Sequence, residues 1–121
     1  MKHQPKSIRT FIGAKDFQIS SAFYRDFGCD ETKISPKMSY FSIGNVGFYL
    51  QDYYVKTWIN NTMVFLEVDN AMDYWNFLVT SELHHIYKTV KITPMKEYDW
   101  GRECFMHDPS GVLWHFGEFY D

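Results

Sequence analysis

Arg9 and His115 are the two side chains of this 121-residue sequence whose chemistry and surroundings point most clearly to a functional role. Arg9 lies in a segment that alternates apolar and polar residues, and a buried guanidinium requires an anion close to it. We expect it to bind a carboxylate or phosphate of a ligand. The alternatives are a salt bridge to Glu67 or Glu103, or exposure at a strand end. His115 could contact a ligand through its ring or be satisfied by a neighbouring protein group.

The other reactive side chains lack partners for catalysis or metal binding. Cys104 has no base that the sequence places beside it, and the chain contains neither a CxxC motif nor a glycine-rich phosphate loop. His84 and His85 are adjacent, and neighbouring side chains on a helix point about 100° apart, so this pair does not chelate a metal. We therefore expect no catalytic residue of the nucleophile type.

Aromatic residues make up 20% of the chain, which is more than a small core needs, and aromatic walls line many ligand pockets. The two-residue period of strands predicts one set of faces that packs beneath helices, formed by Ile12, Phe48, Leu50, Val64, Leu66, Trp114 and Phe116. The opposite faces would form a mostly apolar cup with a few polar points. Its expected ligand-binding residues are Arg9, Phe11, Tyr49, Gln51, Met63, Phe65, Trp100, Phe105, Leu113 and His115. The alternative is a cup that its own side chains fill completely.

The elements that must position these residues follow one order twice: a strand, a helix and three strands. In the first half, Ser7–Ala14 alternates as a strand, Asp16 is a good helix N-cap, and apolar residues every four positions predict a helix over 17–27 that Gly28 ends. The strands that follow are a weak one at Glu31–Ser35 and a hairpin of Tyr40–Ile43 and Val46–Gln51 around Gly44-Asn45.

The second half repeats this order after a connection over 52–61. Thr62–Val68 is a strong strand, and Asp69 or Asn70 caps a second helix whose end the sequence does not define. The remaining strands are Val90–Thr93, ending at Pro94, and Glu103–His107 and Val112–Phe116 around a tight turn. We expect one domain over 1–121 with an internal repeat of about 7–52 and 62–119. The predicted fold is α+β, with two βαβββ modules pairing into a curved half-barrel cup and helices outside.

Composition excludes several classes of protein. The net charge is −3, and a nucleic-acid binder of this size usually carries a basic excess, so we expect no nucleic-acid partner. No stretch approaches 18 uninterrupted apolar residues, and the first residues lack the apolar core of a signal peptide, which argues against a membrane partner and against export. The two cysteines, Cys29 and Cys104, are expected to be reduced thiols in the cytoplasm.

Two segments carry a resemblance to a known family. Residues 16–28 (DFQISSAFYRDFG) are similar to its first helix, and residues 100–116 (WGRECFMHDPSGVLWHF) are similar to its closing hairpin. Together they resemble the vicinal-oxygen-chelate superfamily of glyoxalase I, bleomycin-resistance proteins and extradiol dioxygenases, and look most like the bleomycin-resistance branch. The resemblance covers nearly the whole chain and implies the half-barrel fold. By analogy it also implies a homodimer.

The metalloenzymes of this superfamily bind one divalent metal at four inward positions, which the resemblance assigns to Arg9, Gln51, Met63 and His115. Divalent metals prefer imidazole, carboxylate or thiolate ligands. Arg9 has no lone pair to offer, Met63 is a soft thioether and Gln51 a weak neutral donor. His115 is thus the single plausible remnant, and we expect no metal and no cofactor.

The function expected from the sequence is metal-independent binding of a small aromatic or anionic ligand in an aromatic-lined cup. We expect a protein that is not an enzyme. One alternative is a metal-dependent lyase, isomerase or dioxygenase with a rearranged ligand set that recruits Glu67 or Glu118. Another is a non-catalytic interaction module with a closed cup, in which aromatic residues of the connections (Tyr53, Tyr54, Trp58 and Trp100) serve an interface.

Overall fold

The computed structural model describes all residues from 1 to 121 and contains eight strands and four helices. The first half comprises β1 (Phe11–Gly13), α1 (Phe17–Phe27), β2 (Asp30–Ser35), β3 (Met38–Ile43) and β4 (Val46–Gln51). A short helix, α2 (Lys56–Asn60), connects the halves. The second half comprises β5 (Met63–Glu67), α3 (Ala71–Ser81), α4 (Leu83–Ile86), β6 (Lys91–Glu97), β7 (Gly101–His107) and β8 (Leu113–Phe119). Residues 1–10 have no regular secondary structure and are exposed.

Capping residues define both long helices. The Asp16 carboxylate accepts a hydrogen bond from the backbone N–H of Ile19 at the start of α1, and Gly28 ends that helix at φ 110°. Asn70, rather than Asp69, caps α3, because its side-chain oxygen accepts from two backbone N–H groups of the first turn. Glu82 adopts a left-handed conformation at φ 57° and separates α3 from α4.

The two halves form two four-stranded sheets of identical topology, with the strand orders β1-β4-β3-β2 and β5-β8-β7-β6. In each sheet the first strand pairs in parallel with the last, and the other pairs are antiparallel. The sheets are not closed into a barrel. The α+β class with two βαβββ modules, expected from the sequence, is therefore confirmed.

Helix α1 joins the cores of the two sheets. The Tyr24 ring contacts Phe48 of the first sheet at 4.9 Å between centroids and Trp114 of the second at 5.9 Å. Phe27 stacks on Phe116 at 6.0 Å. These side chains belong to one cluster of 18 buried residues, so both sheets share a single hydrophobic core on their helix-covered faces.

The bounds of two predicted strands were wrong. Strand β1 is only three residues long, since the pairing register with β4 begins at Phe11 and Thr10 adds only a carbonyl that accepts from the Tyr49 N–H. Strand β6 continues through Pro94 to Glu97, which is possible because β6 is an edge strand and its register shifts between Thr93 and Lys96. The connection over 52–61 contains the helix α2. No helix of the structure is both long enough and apolar enough to span a bilayer.

Candidate functional site

The first sheet carries a row of three aromatic rings on the face opposite the core. Phe11, Tyr49 and Tyr40 are directly paired across β1, β4 and β3. Phe11 and Tyr49 stack at 4.9 Å between ring centroids, and Tyr49 lies 5.3 Å from Tyr40. We call these three residues the first aromatic row. Phe11 is 55% exposed, so the row is open to solvent rather than filled by the chain's own core.

Arg9 lies over this first aromatic row. Its guanidinium carbon is 4.3 Å from the centroid of the Tyr40 ring, and Nη1 donates a hydrogen bond of 2.9 Å to the Tyr49 hydroxyl. The hydrogen bond to Tyr49 raises the pKa of Arg9. The salt bridge to Glu67 or Glu103, one of the alternatives considered from the sequence, is not formed. Arg9 is therefore a cation held by two tyrosines with no anion of its own.

The second sheet carries an equivalent row. Phe65, His115 and Phe105 are directly paired across β5, β8 and β7. The His115 ring is 6.1 Å from Phe65 and 5.2 Å from Phe105. We call these three residues the second aromatic row. Gly117 makes room for it, because a Cβ atom at this position would overlap the Phe65 ring.

His115 is paired with a buried carboxylate. Its Nδ1 lies 3.1 Å from Oε1 of Glu103, which is only 6% exposed. Partial desolvation and the nearby charge of Glu103 also raise the pKa of Tyr98. His115 therefore has a polar protein partner, which was one of the two alternatives considered from the sequence. Its second ring nitrogen, Nε2, makes no hydrogen bond within the chain.

An aromatic cluster extends the second row toward the carboxyl end of β8. Trp100 stacks on Tyr98 at 5.0 Å and an interplanar angle of 6°. Phe119 lies 5.1 Å from Trp100 and 5.8 Å from Phe65. Phe65, Trp100 and Phe119 are 45%, 40% and 51% exposed, so this cluster is a solvent-facing apolar surface.

A cleft of about 1140 Å³ lies between the two sheets. It is lined by residues 8–10, the turn between β3 and β4, residues 64–67 of β5 and the start of α3. Val64 and Leu66, predicted to pack beneath a helix, are half-buried, since they pack against the core cluster on one side and line this cleft on the other. Of the second aromatic row only Phe65 reaches the cleft, and Arg9, which lies over the first aromatic row, also reaches it.

The ten predicted ligand-binding residues thus belong to two groups, one on or beside each sheet. The first group is Arg9, Phe11, Tyr49 and Gln51, and the second group is Met63, Phe65, Trp100, Phe105, Leu113 and His115. No hydrogen bond or aromatic contact within the chain joins the groups. Gln51 and Leu113 are half-buried, whereas Met63 is 66% exposed.

Comparison with protein-family models and with curated proteins finds no match for this sequence. Solved structures do match. A bleomycin-binding protein complexed with bleomycin aligns over 96% of this chain and 100% of its own at a TM-score of 0.78, with 15% identity. The chain has the vicinal-oxygen-chelate fold. A bleomycin resistance determinant encoded on the transposon Tn5 aligns over 96% and 100% at a TM-score of 0.76, with 13% identity.

A third vicinal-oxygen-chelate structure has a broader description. The glyoxylase/bleomycin resistance protein/dioxygenase domain from Frankia sp. EAN1pec aligns over 98% of this chain and 100% of its own, at a TM-score of 0.73 and 14% identity. These identities establish the fold, and the fold hosts many functions.

The residues present do not fit the metal of the vicinal-oxygen-chelate metalloenzymes. Gln51 lies on the first sheet with Arg9 just before its first strand, and Met63 and His115 lie on the second sheet. The Arg9 guanidinium has only donors, and it is already bonded to Tyr49. No three His, Cys, Asp or Glu side chains are grouped as ligands of one ion. A set with one imidazole and no second strong donor is a poor site for zinc or manganese.

Sequence reasoning missed three members of the candidate site. Tyr40 was assigned to a strand but not to the site, although it alternates with buried Phe41 and pairs with Tyr49. Glu103 was considered only as a partner of Arg9. Phe119 lay beyond the predicted last strand. The period-two alternation of β3 and β7 would have placed Tyr40 and Glu103 on the open faces.

Proposed function

We propose that this chain binds a flat aromatic small molecule, without a metal ion, against the two aromatic rows, and that Arg9 contacts an anionic substituent of that ligand. The observation that carries this proposal is the pair of open cross-strand rows, Phe11–Tyr49–Tyr40 and Phe65–His115–Phe105. Each row has one ring that is about half exposed, Phe11 at 55% and Phe65 at 45%, against which a ligand can pack. Aromatic stacking adds about 0.5–1.5 kcal/mol per pair beyond the burial of apolar area.

Arg9 gives the first row a preference for anions. Its guanidinium is fixed by the Tyr49 hydroxyl and the Tyr40 ring and has four further N–H groups free to donate. A guanidinium presents its donors in a planar fork that matches a carboxylate. An aromatic carboxylate could therefore stack on the row and bond to Arg9 at the same time.

We propose further that a second copy of the chain brings a first row and a second row together. Such a pair would cover apolar surface that the single chain leaves in solvent, since Phe11 is 55% exposed and Phe65 is 45% exposed.

The structural neighbours support ligand binding as the type of function. One is described as a bleomycin-binding protein complexed with bleomycin, and another as a bleomycin resistance determinant. Both have the fold of this chain. They support the proposal that its open faces take a ligand, and the ligand class comes from the residues of the rows themselves.

Calorimetric titration of chelator-treated protein with 2-naphthoate tests this function. We expect saturable binding that is unchanged by EDTA and weakened many-fold in both Tyr49→Ala and Phe65→Ala. The matched control is Tyr53→Ala, which removes a comparably exposed ring outside the two rows. Binding that requires added zinc, or that survives both row variants, would show that the proposal is wrong. Sedimentation velocity of the same samples tests whether two copies of the chain associate.

A further inference from the structure

We infer that Nε2 of His115, held as a hydrogen-bond acceptor by Glu103, selects aromatic ligands that carry an N–H or O–H donor. This inference rests on the proposed function, because it defines the ligand class at the same open face. It concerns His115, the central residue of the second aromatic row. Neither stacking nor Arg9 would distinguish a ligand with an N–H or O–H group from its methylated analogue.

The first step is the tautomer of the imidazole. Glu103 Oε1 lies 3.1 Å from Nδ1, and Glu103 is 6% exposed. An ionised carboxylate has no proton to donate, so the hydrogen bond is formed by an Nδ1–H group that donates to Oε1. In the neutral ring the other nitrogen, Nε2, then carries a lone pair and accepts.

The second step is the position of Nε2. His115 is the central residue of the row, with Phe65 on one neighbouring strand and Phe105 on the other. Both neighbours are apolar, and Nε2 has no hydrogen-bond partner in the chain. The ring is only partly exposed, at 20% of the side chain. A ligand that packs against Phe65 or Phe105 with its edge toward Nε2, in the plane of the imidazole, therefore covers an acceptor that only the ligand can satisfy.

The third step is the energetic consequence. A ligand with a donor replaces the water on Nε2, whereas a ligand without one leaves a desolvated acceptor unpaired. Unpaired buried groups discriminate more strongly than a missing apolar contact does. We expect a preference of roughly tenfold for the donor over its methylated analogue, the size of one such hydrogen bond. The ligand class is thus an aromatic ring system with an N–H or O–H on its edge, such as an indole or a phenol.

Indole and N-methylindole form the matched pair of probes, because they differ in the single N–H group. Binding of both is measured by calorimetry for the wild type, for Glu103→Gln and for the control Glu67→Gln. Glu67 lies on the same face, across Gly117 from Glu103, and has no hydrogen bond to His115. In Glu103→Gln a neutral amide can also donate to Nδ1, so the tautomer is no longer fixed and the preference should fall to within about twofold. Glu67→Gln should retain the tenfold preference.

Nitrogen-15 NMR of the His115 ring in the wild type gives an independent readout that requires no variant to fold. We expect a protonated Nδ1 and an unprotonated Nε2 at pH 8. A protonated Nε2, or equal affinity for the two probes, overturns this inference and leaves the proposed function standing. Failure of both probes to bind, with 2-naphthoate also failing, overturns the proposed function and this inference with it.

Discussion

Tyr24 and Asp108 lie 84 positions apart in the chain and are joined by a hydrogen bond of 2.7 Å from the phenol hydroxyl to Oδ2 of the carboxylate. Asp108 is fully buried, and its Oδ1 accepts from three backbone N–H groups, those of residues 110 to 112. The Trp114 indole donates to the same tyrosine hydroxyl at 2.9 Å. One network therefore fixes the closing turn of the second module against the helix of the first.

Removal of the Tyr24 hydroxyl should destabilise the fold. Tyr24→Phe leaves Asp108 Oδ2 and the Trp114 N–H without their partner in a buried site, which costs about 1–3 kcal/mol of unfolding free energy. The matched control is Tyr87→Phe, which removes an exposed hydroxyl that bonds to Asp26 at 2.6 Å and should cost less than about 1 kcal/mol. Urea denaturation measures both. Equal losses in the two variants would contradict a special role for the buried network.

Stability should fall as the pH rises above 9. Burial raises the pKa of Cys29 from 9.0 to about 12 and that of Cys104 from 9.0 to about 11. The folded state thus keeps protons that the unfolded state releases, so the stabilisation present below pH 9 is lost between pH 9 and about 12. Each thiol contributes a slope of about 1.4 kcal/mol per pH unit where only the unfolded thiol is ionised. The urea midpoint of the wild type should decline as the pH rises from 8 to 10.5, and the midpoint of Cys29→Ala should decline less steeply. A flat profile would refute this.

Gly117→Ala should separate ligand binding from stability. The new methyl group overlaps the Phe65 ring, which is 45% exposed and can move aside. The melting temperature should therefore change little, while affinity for 2-naphthoate falls several-fold because the second aromatic row is disrupted. Calorimetry and a thermal melt on the same sample check this. Unchanged affinity would remove Phe65 from the binding surface.

Arg9→Met should weaken the binding of an anionic ligand more than the binding of a neutral one. The guanidinium is held by Tyr49 and Tyr40 and has no carboxylate partner in the chain. A ligand carboxylate can therefore pair with it without displacing a carboxylate of the protein. We expect several-fold weaker binding of 2-naphthoate and little change for its methyl ester. Titrations at low and moderate salt provide the comparison, since a charge contact weakens with ionic strength. Equal weakening of acid and ester would exclude Arg9 as the anion contact.

The order and type of the elements could be predicted because local signals agree with the tertiary structure. Asp16 and Gly28 mark the ends of α1, and both cap it as expected. The helix face was predicted less well, since Ile19 is 48% exposed although it continues the apolar stripe of Phe23 and Phe27. Tyr24 is fully buried in its place because Asp108 satisfies its hydroxyl, a contact across 84 residues that no local pattern reveals.

The candidate site could be predicted residue by residue but not as an assembly. Alternation placed Tyr49 and Phe65 on open faces, where they lie. It could not show that the faces belong to two groups without mutual contact, because the sequence does not define how the modules dock. Tyr40 and Glu103 were missed for a different reason. Their roles come from cross-strand pairing with Tyr49 and from the contact with His115.

The most direct test of the central claim is to map the binding of 2-naphthoate onto the chain by NMR chemical-shift changes. We predict the largest changes at Tyr40, Tyr49, Phe65 and Phe105, with the buried core around Phe23 unaffected. Changes confined to the cleft between the sheets, at Leu66 and Tyr74 and not on the two aromatic rows, would contradict the account, as would the absence of any saturable change.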